Sequence, residues 1–116
     1  MFTVEQRVAM ASAALAHLDN VRVVALKGAT MDAARGLGAA LIVKGVRGAD
    51  DAAHEAAQAA FNLEAGGIDT WWIPTRPALS HVSSSAVREL FRLGKDAHRY
   101  VPPAISRFMT DNRGGS

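Results

Sequence analysis

The run Ala40-Leu41-Ile42-Val43 constrains this chain more than any other segment. It is almost continuously apolar, it follows the helix-stopping glycines Gly36 and Gly38, and it runs into Lys44-Gly45-Val46-Arg47-Gly48. A short strand without polar alternation suits a parallel sheet buried on both faces. A parallel strand reaches its neighbour only through a long crossover, and the next segment provides one. Asp50 or Asp51 caps an alanine-rich helix to about Leu63, Gly66-Gly67 turns the chain, and Thr70-Trp71-Trp72-Ile73-Pro74 reads as a second strand. Lys44 to Gly48 is then the loop at the first strand's carboxyl end, where open α/β sheets bind their ligands.

The flanking segments fit an α/β order. Thr3-Val4-Glu5-Gln6 has the form of a capping box, and Val4, Val8, Ala11, Leu15 and Leu18 recur at helical spacing down to Asp19-Asn20. Val21, Val23 and Val24, ending at Leu26, read as a β-branched strand closed by Lys27-Gly28. Met31 to Leu37 is a short helix. After a loop from Thr75 to Val82, Ser84 to Leu93 forms a helix, and Pro102-Pro103 opens a last one with Ile105, Phe108 and Met109 on one face. A chain of 116 residues holds one core of useful size. The expectation is one α/β domain over residues 1–110 and a frayed tail over 111–116.

Composition narrows the function classes. Hydrophobic residues make up 49% of the chain but aromatic ones only 6%, so the core depends on Val, Ile, Leu and closely packed Ala. The net charge of +2 comes from scattered Arg and Lys rather than a block, which argues against nucleic acid as a partner. The absence of cysteine excludes disulfides and thiol chemistry. No apolar run approaches the ~18 residues of a membrane span and no leader pattern is present, so a cytoplasmic protein is expected.

Two segments carry anion chemistry. Lys44 and Arg47 can clamp a phosphate while Gly45 lets backbone N–H groups approach it; a solvated basic turn is the competing reading. Ser83-Ser84-Ser85 opens a helix, where hydroxyls and orphan N–H groups favour a phosphate; plain N-capping, which uses one serine, is the alternative. Glu55 either orients Arg47 or a ribose hydroxyl, or is a solvated helix residue. His81 either touches a nucleotide or faces solvent. Trp71-Trp72 either stacks a base or, the better reading, packs as core, with one ring toward the core and the other toward a helix. His17, His54, His81 and His98 lack metal-ligand spacing, and no metal site is assigned.

Four stretches, Met1-Phe2-Thr3-Val4-Glu5-Gln6-Arg7-Val8-Ala9, Ile42-Val43-Lys44-Gly45-Val46-Arg47, Gly67-Ile68-Asp69-Thr70 and His81-Val82-Ser83-Ser84-Ser85-Ala86-Val87-Arg88-Glu89-Leu90, together resemble the phosphopantetheine adenylyltransferase family in its actinobacterial forms. The likeness runs from Met1 to about Pro103. It implies a Rossmann-like nucleotidyltransferase fold with a parallel sheet. It also implies transfer of the adenylyl group of ATP to 4′-phosphopantetheine, giving dephospho-coenzyme A and diphosphate, with Mg²⁺ and in a homo-oligomer that is a hexamer in the family. By the same resemblance Gly45, Val46, Arg47, Glu55 and the stretch Leu79, Ser80, His81, Val82, Ser83, Ser84, Ser85 would bind ATP. Lys44 would hold the pantetheine phosphate and Thr30 would sit near the pantetheine arm.

Against the family pattern the chain lacks the first two strands and the T-x-x-x-x-x-x-x-H loop with its histidine. It is therefore expected to be truncated and weakly active or inactive, with no catalytic residue assigned. A non-catalytic nucleotide- or coenzyme A-binding subunit is the alternative. In the family's sheet the absent strands separate the Val21 run from the Leu41 run, so their edges are expected to be left unpaired. His54 stands where the family has Tyr, and alanines replace several large side chains between Asp51 and Asn62. Each such loss costs ~2–5 kcal/mol in a core that does not refill.

Overall fold

The computed structural model describes residues 2–113. The chain divides into two compact units, one of Met1–Ala25 with Val82–Ser116 and one of Leu26–His81. Each is described by itself.

The Leu26–His81 unit holds α2 (Thr30–Gly36), β1 (Ile42–Val46), α3 (Ala49–Gly66) and β2 (Thr70–Pro74), then a single 3-10 turn (Pro77–Leu79). β1 and β2 pair in parallel, Ile42 opposite Thr70 through Val46 opposite Pro74. α3 is the crossover that parallel pairing demands, and its 18 residues span about 27 Å. It begins at Gly48 rather than at an aspartate cap. Asp51 lies one turn in, where its carboxylate accepts the Arg47 amide at 3.1 Å, so it serves the helix start from inside. At the other end Gly67 adopts φ +65°. Its N–H bonds to the Leu63 carbonyl at 3.0 Å, the left-handed cap that favours glycine.

The core of this unit is small: Ala34, Ile42 and Ile68 are buried together, and Met31 packs against them. Gly66, buried at the end of α3, leaves room for Met31, since a β-carbon there would stand 2.8 Å from that of Met31. Because paired residues of parallel strands point the same way, Ile42 and Lys44 share one face of the sheet with Thr70 and Trp72, and Val43 and Gly45 share the other with Trp71 and Ile73. The second face is open, with Trp71 63% and Ile73 59% exposed. The expected burial on both faces does not occur, nor do Trp71 and Trp72 enter a core.

Two further expectations are corrected. Val21 to Leu26 forms no strand, and the only sheet among the described residues is β1–β2. Its Val and Leu side chains are largely exposed. Without a neighbouring ladder, β-branched residues have nothing to stabilise their extension. The strand expected at Ala40–Val43 lies two residues later, so Lys44, Gly45 and Val46 belong to β1 and only Arg47 and Gly48 form the loop. Backbone pairing extends the ladder past the apolar run, and Thr75 N–H continues it to the Val46 carbonyl at 3.0 Å.

The other unit contains α1 (Val4–Ala14), α4 (Ser84–Arg92), a 3-10 turn (His98–Tyr100) and α5 (Pro103–Arg113). The capping box forms as read: Gln6 N–H donates to Thr3 Oγ1 at 3.0 Å and Thr3 N–H to Gln6 Oε1 at 2.9 Å. α1 stops at Ala14 rather than near Asn20. Leu18 beyond it is exposed, and a short helix without a packed face does not extend. Phe2 joins the chain start to two helices, its ring 5.4 Å from that of Phe91 and 6.0 Å from that of Phe108, both at aromatic contact distance. Met10, Ala97 and Met109 are buried. The final helix includes Asp111; the expected tail beyond residue 113 lies outside the described residues. No helix among the described residues is long and apolar enough to cross a membrane.

Candidate functional site

In the Leu26–His81 unit the site is built on the carboxyl half of β1. The ladder fixes Lys44 on the face that α3 covers, and Glu55 lies in the second turn of that helix. Lys44 Nζ stands 3.9 Å from Glu55 Oε2, with the lysine side chain 41% exposed and the glutamate only 13%. This is a loose pair. The mostly covered carboxylate gains a compensating charge, while the ammonium keeps an open side on which a phosphate oxygen can be bound as well.

The same unit carries the other candidates, and of the candidates among the described residues the structure brings only Glu55 to Lys44 by a side-chain contact. Gly45 and Val46 continue β1, and Arg47 follows it with its amide tied to Asp51 and its side chain exposed. Thr30 opens α2 and is half-buried. Leu79 ends the 3-10 turn, 53% exposed, and Ser80 turns its hydroxyl inward, donating to the Pro77 carbonyl at 2.8 Å. His81, two residues past that turn, is exposed.

Val82 to Ser85 belong to the other unit. There the serines divide their work. Ser83 is the N-cap of α4, its Oγ accepting the Ala86 amide at 3.1 Å. Ser84 and Ser85 follow as exposed first-turn residues, and Ser85 accepts from the Arg88 guanidinium at 3.2 Å. No acidic residue stands in the first turn, so α4 brings no carboxylate of its own to the positive end of its dipole.

Two side chains were not singled out from the sequence. Arg7 and Arg88 line a groove of about 700 Å³ in this unit, together with Ser83, Ser84 and mostly apolar neighbours. The i, i+4 spacing of Ser84 and Arg88 places them on one face of α4 and was the signal available. Among the described residues no group of His, Asp or Glu is placed to hold a metal ion.

A parallel strand–helix–strand unit, together with the family match that follows, defines the class, a Rossmann-like α/β nucleotidyltransferase fold. The family model described as cytidylyltransferase-like matches residues 1–90, and the chain belongs to that family. The match takes in β1, α3, β2 and all three serines.

Proposed function

We propose that the chain is a pantetheine-phosphate adenylyltransferase-like protein that binds ATP and 4′-phosphopantetheine. The observation that carries this reading is the meeting of Lys44, in β1, with Glu55, in α3. A basic group that must hold a phosphate and an acidic group assigned to the nucleotide come from separate segments and converge. Membership of a nucleotidyltransferase-like family supports it, as do the exposed hydroxyls of Ser84 and Ser85 at a helix start without acidic residues.

In this reading an oxygen of the 4′-phosphate attacks the α-phosphorus of ATP in line. The bond between the α-phosphorus and the bridging oxygen breaks, and diphosphate leaves with that electron pair. Such a displacement needs positioning and charge neutralisation rather than a covalent intermediate. Lys44 holds the attacking phosphate, and Gly45 to Arg47 and Glu55 orient the nucleotide. No set of described side chains offers a metal cage. In this reading Mg²⁺ enters with the triphosphate as part of the substrate, a mode usual for this ion.

The test is a phosphorus NMR assay with ATP, Mg²⁺ and 4′-phosphopantetheine, paired with calorimetric titration of ATP. Saturable ATP binding and slow formation of dephospho-coenzyme A and diphosphate in equal amounts are expected. Saturable binding without turnover would replace this reading with a non-catalytic nucleotide-binding role, and absence of binding would overturn both.

A further inference from the structure

Of the residues that line the groove in the unit of Met1–Ala25 and Val82–Ser116, Val82, Ser83 and Ser84 are shared with the stretch assigned to ATP, and the others are not used by adenylyl transfer. At about 700 Å³ it has the size of a small-molecule site. Its wall is apolar, with Met10 from α1, Val101 before α5, and Ile105 and Met109 one turn apart on α5. Its charges are of one sign: Arg7 and Arg88 line it and no carboxylate does. Neither arginine is ion-paired among the described residues. Arg88 gives one N–H to Ser85, whereas the Arg7 guanidinium keeps its whole planar fork for a ligand.

We propose that this groove binds a fatty carboxylate, its head on Arg7 and Arg88 and its chain along Met10, Val101, Ile105 and Met109. The apolar wall selects a hydrocarbon chain, because the polar backbone of an extended peptide would be left without partners there. The uniform positive charge selects an anion. The planar fork of one unengaged guanidinium matches a carboxylate bidentately. One free fork and one partly engaged arginine complement a monoanion better than a phosphate dianion. Lys44 and Glu55 are not among the residues that line the groove, so the proposal does not rest on the adenylyl-transfer reading.

The test titrates the full chain with decanoate, below its micelle-forming concentration, by calorimetry and by NMR of the methionine methyl groups. Decyl phosphate, decanol and decyltrimethylammonium serve as comparison probes. One saturable decanoate site is expected, with the Met10 and Met109 methyl signals shifting along the same isotherm. Arg7→Gln, an exposed substitution, weakens binding about tenfold, the loss of one charge-assisted contact, and Arg7→Gln with Arg88→Gln weakens it further. Circular dichroism confirms that both variants stay folded. Several results would overturn the proposal: no saturable binding, equal binding of decanol or decyltrimethylammonium, tighter binding of decyl phosphate, or affinity unmoved in the folded arginine variants. So would concentration-dependent dimers that shift the same methyl signals without decanoate, since a second copy would then be the occupant.

Discussion

Gly66→Ala is the sharpest probe of the Leu26–His81 core. In an open helix interior the change stabilises by up to about 1 kcal/mol. Here the new β-carbon would meet the Met31 Cβ at 2.8 Å, Sδ at 2.9 Å and Cγ at 3.2 Å. Rotation about the Met31 side chain can withdraw the sulfur and Cγ, but Cβ is fixed to the backbone of α2. Overpacking of this kind costs about 1–3 kcal/mol, which outweighs a propensity gain already reduced at a helix's last residue. A net destabilisation of about 1–2 kcal/mol is expected. The assay is urea denaturation followed by the fluorescence of Trp71 and Trp72, the two tryptophans of the chain, both in β2. At a slope of about 1 kcal/mol/M the midpoint falls by about 1 M or more with the slope unchanged. Met31→Ala in the Gly66→Ala background should cost less than it does alone, by at least about 0.5 kcal/mol, because it removes Sδ and Cγ. Recovery stays partial while the two β-carbons still clash. A midpoint that stays or rises, or strictly additive single changes, would refute the packing described for α2 and α3.

Ser83→Ala removes the hydroxyl that accepts the Ala86 amide and should lower stability by about 1 kcal/mol, read as a lower thermal midpoint by circular dichroism; Ser84→Ala, which leaves that cap intact, should change it by less than about half as much. Thr70→Val should be neutral or stabilising by up to about 1 kcal/mol, because the Thr70 hydroxyl is buried with no hydrogen-bond partner among the described residues. The same tryptophan-detected denaturation checks it, and a clear loss of stability would show that the hydroxyl is satisfied in solution.

Features set by neighbours in sequence were legible before the structure. The Thr3–Gln6 box, the Ser83 cap and the Gly67 turn each follow from local hydrogen bonding and one backbone conformation. Features set by partners distant in sequence were not. The valines from Val21 have the side chains of a strand, but a strand exists only through its neighbour, and the β1–β2 sheet provides none for them. Lys44 and Gly45 look like loop residues, yet their backbones pair with Trp72 and Ile73. An apolar run therefore marked the strand without marking its end. In the same way Trp71 reads as core by composition, and whether anything covers its face is a tertiary fact. The proximity of Lys44 to Glu55 depends on how α3 lies across β1, which spacing does not express. The arginine pair of the groove draws on α1 and α4, elements from opposite ends of the sequence.

The substrate site proposed around Lys44 of β1 is tested most directly by calorimetric titration of 4′-phosphopantetheine into the unaltered chain and into Lys44→Gln. Lys44 is partly exposed and its pair with Glu55 is loose, so tryptophan-detected denaturation should show the variant folded. One saturable site is predicted, weakened at least about tenfold by Lys44→Gln through loss of a charge-assisted phosphate contact. Absence of saturable binding, or equal affinity in the folded variant, would contradict the assignment of Lys44 and the site built around it.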